Sequence, residues 1–266
     1  MPRYVAPTLT LLVFSLLLLW RSTERSPVLA ATEETKPVLV ELFTSEGCSS
    51  CPPADELLAR LDATQFVPGA RAIVLSEHVT YWDRQGWRDP FSLDAMTWRQ
   101  REYGQRFKLD DVYTPQVVVD GTAQFVGSDE RQLRADIVKA MDSAKVKLQI
   151  QEVQAAGGAV RFKVQIAGGV TAPKSHLIAV LAEDAVQSSV SRGENAGRTL
   201  RHVAVLRVLQ DFGAKALAGQ TLTLKLPSSV EKEDAKSQQP LRLVAFLSDT
   251  QTGRVLGVDE QTVSLQ

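Results

Sequence analysis

The stretch Glu46-Gly47-Cys48-Ser49-Ser50-Cys51-Pro52-Pro53-Ala54-Asp55 holds the chain's two cysteines, between an apolar run at 38–43 and an amphipathic run at 56–61. The apolar run reads as a buried strand, and Leu57, Leu58 and Leu61 recur on one helical face. The segment therefore predicts strand, Cys-x-x-Cys, helix. Pro52 and Pro53 fit only a first helical turn, where a missing N–H loses nothing. A cysteine at a helix N-terminus is favoured as thiolate by the unpaired N–H groups and the macrodipole. The expectation is that Cys48 attacks, while Cys51, inside the first turn and more buried, resolves the mixed disulfide. As a staple the pair is weak: a disulfide closing a four-residue loop stabilises by about 2 kcal/mol, against about 3 for fifteen residues.

The compartment follows from the N-terminus. Arg3 precedes an apolar run at 9–20, and Val28 and Ala30 stand at signal-peptidase spacing. Residues 1–30 are read as a signal peptide, 31–36 as a linker, and the mature chain as periplasmic or secreted, where thiols meet oxidants. A run that short falls below the roughly 20 residues that span a bilayer, so no stable membrane span is expected after cleavage. With 30 basic and 31 acidic residues, the chain lacks the basic footprint of a nucleic-acid binder.

After the helix, 72–76 reads as a second strand. Strand, helix and strand make a right-handed parallel crossover, which opens Glu77-His78 on the same sheet edge as Cys48. The loop at 79–92 carries Trp82 and Trp87 and is expected to lie over that edge as a lid or substrate platform. A helix at 94–107 leads to Thr114-Pro115, then to a hairpin turning at Asp120-Gly121. Ser128 reads as the N-cap of a last helix with Leu133, Ile137, Val138 and Met141 on one face. From 146 the hydrophobic period becomes two. Strands are predicted at 146–151, 160–166, 176–183, 200–209, 221–226, 241–248 and 254–263, with a polar excursion at 227–239. The reading is an α/β domain at 37–144 followed by an antiparallel β-sandwich-like domain at 145–266.

The order of elements in the first half resembles the thioredoxin fold, carried by Cys48-Ser49-Ser50-Cys51 after a strand and Thr114-Pro115 before 116–119. More closely, residues 41–55, 78–91, 112–116 and Gly193-Glu194-Asn195-x-Gly197-Arg198-x-Leu200-x-His202 are similar to the secreted bacterial family called domain of unknown function 1223. The thioredoxin resemblance implies a cis-proline at Pro115 facing the cysteines, with Thr114 beside it, and a buried acid at Glu41 that could relay the proton of Cys51. It implies a thiol-disulfide oxidoreductase acting on protein thiols without a cofactor, using Cys48, Cys51, Glu41 and Pro115 with Thr114 beside them, while the strand topology above brings Trp82, Trp87 and His78 towards substrate. The alternative is a non-catalytic scaffold or copper-handling protein with the Cys pair as metal ligands or as a structural disulfide. Its Cys48, Cys51 and His78 would bind Cu(I), since two cysteines without a second Cys or His pair fall short of zinc's four ligands. Arg198 and His202 are read chiefly as packing between the two halves.

Overall fold

The computed structural model describes residues 1–3, 35–167, 174–214, 216, 219–228, 230 and 240–264. The signal peptide beyond residue 3, most of the linker and most of the polar excursion lie outside the described residues.

β1 (Lys36–Thr44) is buried from Val38 to its end. Helices cover both of its faces, one carrying Leu57, Leu58 and Leu61 and the other carrying Arg99 and Tyr103, which is why its sequence, Glu41 apart, runs apolar instead of alternating. β2 (Ala70–His78) pairs with it in parallel, and β3 (Gln116–Val119) pairs antiparallel on the other side. Between them runs α1 (Pro52–Thr64), which stops at Gln65 in a left-handed conformation. Leu57, Leu58 and Leu61 of α1 pack into one core with Val38, Val40 and Leu42. α2 (Asp94–Phe107) starts and ends where the sequence predicts.

The hairpin from β3 to β4 (Ala123–Val126) turns at Asp120 and Gly121, both with positive φ (50° and 65°). Glycine is required at 121 for a second reason: a Cβ there would sit 2.1 Å from the Gly253 carbonyl oxygen of the second half. α3 (Glu130–Met141) is capped by Asp129 rather than the expected Ser128; its carboxylate accepts from the Gln132 N–H at 2.9 Å.

The second half contributes β5 (Leu148–Ala156), β6 (Ala159–Ile166), β7 (Ser175–Glu183), β8 (Val186–Ser189), β9 (Thr199–His202), β10 (Val205–Gly213), β11 (Leu222–Lys225), β12 (Leu241–Asp249) and β13 (Val255–Val263). The single strand predicted at 200–209 breaks at Ala204 (φ 48°) into β9 and β10, and β8 was not read from the sequence.

From residue 34 onward the chain forms one compact unit. An eight-stranded mixed sheet, ordered β13-β12-β7-β10-β2-β1-β3-β4, crosses the expected boundary at 144/145. The junction is β10 beside β2, with Val205 opposite Ser76 and the Ser76 N–H donating to the Ala204 carbonyl at 2.9 Å. Without β10, β2 would end the sheet on this side as an unpaired edge, and β10 meets it at Ser76. A second, smaller sheet packs on a face of the shared sheet. The small sheet β11-β6-β5 packs Leu148, Ile150 and Phe162 onto Leu177, Leu181 and Leu243. No helix among the described residues is long and apolar enough to cross a membrane.

Candidate functional site

Two successive turns carry the chain from β1 into α1: the Cys48 N–H donates to the Ser45 carbonyl at 3.1 Å and the Cys51 N–H to the Cys48 carbonyl at 3.2 Å. Cys48 and Cys51 are joined as a disulfide. Cys51 is the N-cap of α1, and the prolines fill its first two positions. The helix thus begins three residues later than a Cys48 N-cap would require, and Pro52 and Pro53 have no N–H to offer. The next two amides, of Ala54 and Asp55, both donate to the Cys51 carbonyl, at 2.8 and 3.1 Å. The expected bath of free amides around Cys48 is therefore missing. Burial differs from expectation too: both cysteines are 0% exposed, while Ser49 and Ser50 between them are exposed.

Several residues named from sequence do converge here. The Trp82 indole N–H donates to Thr114 Oγ1 at 2.7 Å, and a Cβ on Gly47 would lie 3.1 Å from Trp82 Cβ. Trp82 therefore links the cysteine loop to Thr114, whose peptide bond to Pro115 is cis. Pro115 lies near Ala54 of α1, since a Cβ on Gly127 would be 3.2 Å from Pro115 Cβ and 3.0 Å from Ala54 Cβ. Trp87 donates through Nε1 to Glu46 Oε2 at 2.8 Å. His78 is fully buried, with Nδ1 2.7 Å from Asp89 Oδ2, and the same oxygen accepts from the Glu46 N–H at 2.8 Å.

Glu41 stands apart. Its carboxylate accepts from Arg99 Nε at 2.7 Å and from the Tyr103 hydroxyl at 2.6 Å, both on α2. Adjacent strand residues point to opposite faces, so with Leu42 facing Ala54 of α1, Glu41 faces α2. An acid seven residues before Cys48 has the wrong parity to reach under the pair, and no hydrogen bond of Glu41 goes there. Its neighbour Glu77 is raised well above the usual carboxylate range by burial and by the charge of Glu41.

The segment that seals the cysteine loop comes from the second half. The Asn195 side-chain amide donates to the backbone carbonyls of Glu46 (2.8 Å) and Cys48 (2.9 Å), and Arg198 holds its oxygen at 3.0 Å. Glu194 accepts from the Ser49 N–H at 3.1 Å. Ser188 bonds Glu46 Oε1. His202, 2% exposed, places Nε2 3.3 Å from Glu46 Oε1 and Nδ1 3.7 Å from Asp55 Oδ1. Its ring stands edge-on to that of His78, centroids 4.6 Å apart.

These buried charges set each other's protonation. Burial pushes His202 down, but the carboxylates of Asp55 and Glu46 outweigh it and hold the imidazole up at about 10. Burial likewise pushes Asp89 up; His78 and the amides of Glu46 and Phe91 overcome this and hold it at about 2. Sequence reasoning passed over Glu46, Asp55, Asp89 and Asn195. The usable signal was the density of acids flanking the cysteines and the second-half motif ending at His202. Among the described residues no group of three or more His, Cys, Asp or Glu side chains is placed to hold a metal ion. Of the residues named for copper, Cys48 and Cys51 are bonded to each other, and His78 meets Asp89 through Nδ1.

A mixed α/β protein with a disulfide at a strand-to-helix junction, sealed by a polar segment from the far half of the chain, is the class these features define. The family model described as protein of unknown function (DUF1223) matches residues 39–245, and the chain belongs to that family. No curated protein matches it. Among solved structures it is similar to protein AGR_C_4864 from Agrobacterium tumefaciens, at 26% identity and TM-score 0.63, covering 87% of this chain and 95% of that one. A domain of the outer membrane lipoprotein Omp28 from Porphyromonas gingivalis aligns at 21% identity and TM-score 0.27, over 46% of this chain and 99% of that one.

Proposed function

We propose that the protein is an exported thioredoxin-like thiol-disulfide oxidoreductase that exchanges its Cys48–Cys51 disulfide with protein thiols in the periplasm or outside the cell. The observation that carries this reading is the disulfide itself, closed across an exposed Ser49-Ser50 turn at the β1–α1 junction. The sheet order β2-β1-β3-β4 with α1, α2 and α3 between and after its strands supports the fold assignment. A substrate thiolate attacks Cys48 Sγ, the S–S bond breaks, and Cys51 leaves as a thiolate and takes a proton. A second substrate thiolate then attacks the substrate sulfur of the mixed disulfide and releases Cys48. Two electrons and two protons have passed to the pair, and the substrate carries a disulfide.

In Cys51→Ser the lone Cys48 thiolate attacks a partner disulfide, the reverse of the second step, and no Cys51 thiolate remains to attack the Cys48 sulfur and release that partner, so the variant is expected to trap partners as mixed disulfides. Failure to trap any partner, together with a Cys48 thiol titrating near the ordinary 8.5 by alkylation against pH, would refute the proposal. Full burial of both sulfurs favours a second reading, a structural disulfide that takes no part in exchange. On that reading Cys51→Ser traps nothing.

A further inference from the structure

Thiol-disulfide exchange requires a thiolate to reach a disulfide sulfur, and its rate depends on access. Both sulfur-bearing residues here are 0% exposed, so some segment has to move before any exchange. Most of what surrounds the pair is fixed. Glu46 is buried and bonded to Trp87, Ser188 and His202, Trp82 is pinned to Thr114, and α1 is anchored by Leu57, Leu58 and Leu61 in the core.

The 193–198 loop is different. Every residue from 191 to 199 is exposed except Asn195, which is 1% exposed. The loop is closed at its own neck, with the Val190 N–H donating to the Arg198 carbonyl (2.9 Å) and the Gly197 N–H to the Val190 carbonyl (2.8 Å). Among the described residues its hydrogen bonds to the cysteine loop come from two side chains: Asn195, bridging Glu46 and Cys48, and Glu194, on the Ser49 N–H. A loop that keeps its internal bonds when it detaches loses little of its own structure. A polar plug suits such a movement, because water replaces an amide on two backbone carbonyls at small net cost, whereas an apolar plug would be exposed outright.

We propose that the 193–198 loop is a gate on the cysteine pair and that Asn195 is its positioning residue, so that attack on the disulfide proceeds only from a state in which Asn195 has left Glu46 and Cys48. The gate makes small thiols poor reactants and favours a protein partner that engages the exposed Ser49-Ser50 turn and the loop beside it. It deepens the oxidoreductase reading and rests on it for its biological use, although gating of the bond is measurable by itself.

The test is the rate at which dithiothreitol reduces the full-length, folded protein under native conditions, followed by alkylation and mass. For the wild type the rate is expected to level off as dithiothreitol rises, because opening becomes limiting. Asn195→Ala is expected to raise the plateau at least tenfold, and Glu194→Gln, at an exposed residue that leaves the fold alone, about threefold. The urea midpoint of each variant is measured alongside. A rate increase larger than the loss of global stability accounts for marks the gate; one that merely tracks that loss overturns it. A wild-type rate that stays linear in dithiothreitol and is matched by both variants also overturns it, and the wild-type curve keeps the test decisive if Asn195→Ala does not fold. A plateau with no partner trapped by Cys51→Ser keeps the gate and removes the oxidoreductase reading. Trapping with linear, unchanged kinetics does the reverse.

Discussion

His202 offers the sharpest test of the buried charge network. It is 2% exposed, lies between Glu46 and Asp55, meets the ring of His78 edge-on, and titrates near 10 instead of 6.5. A group whose pKa is raised in the folded state binds its proton more tightly there than in the unfolded chain. Its contribution to stability is therefore complete below 6.5 and is lost as pH rises through about 10. The rise of about 3.5 units, at 1.36 kcal/mol each, sets a ceiling of about 5 kcal/mol on the loss across that window. His202→Gln removes the titration and leaves Glu46 and Asp55 without their cation, at a cost of about 3–5 kcal/mol at neutral pH. Urea midpoints of wild type and variant at each pH unit from 6 to 10 should show the difference between them narrowing as pH rises. Lysine and tyrosine titrations elsewhere occur in both proteins and cancel. A difference that stays constant from pH 6 to 10 would show that His202 is not held as a cation. At the acid end the sign reverses: Asp89 is depressed to about 2, so its contribution is complete above about 3.9 and is lost as pH falls through 2.

Two further substitutions probe the frame that carries the site. Arg99→Met leaves Glu41 and Glu77 buried without their shared guanidinium and should cost about 3–5 kcal/mol in urea unfolding, partly recovered by adding Glu41→Gln; no loss, or no recovery, contradicts the pairing. Gly121→Ala drives a methyl onto the Gly253 carbonyl and into a left-handed conformation. It should cost at least about 2 kcal/mol, a fall of about 4–8 °C in Tm by calorimetry for a chain of this size, and an unchanged Tm would mean that the two halves do not meet at this turn.

The elements near the cysteines were legible because each carries its signal locally. The apolar run of β1, the doubled proline opening α1 and the Asp120-Gly121 turn specify themselves within a few residues. What was not legible depended on partners far along the chain. The apolar sequence of β2 says that both its faces are buried, but a side-chain pattern does not say which strand pairs with its edge, and so the boundary at 144/145 looked like a domain limit. β8 is four residues, Val-Gln-Ser-Ser, too short to declare a period. Glu41 looked like a proton relay because the thioredoxin resemblance implies a buried acid there, yet strand parity turns it to α2. The same distance in sequence hid the site's other half. Glu46 and Asp55 flank the cysteines and are buried, and a buried carboxylate without a counter-charge is not sustainable. Their shared cation is His202, some 150 residues away, and the carbonyls around Cys48 are satisfied by Asn195. The second half is therefore part of the site's chemistry. A chain cut after α3 would keep its disulfide, but it would strand two carboxylates beside it and expose the edge of β2.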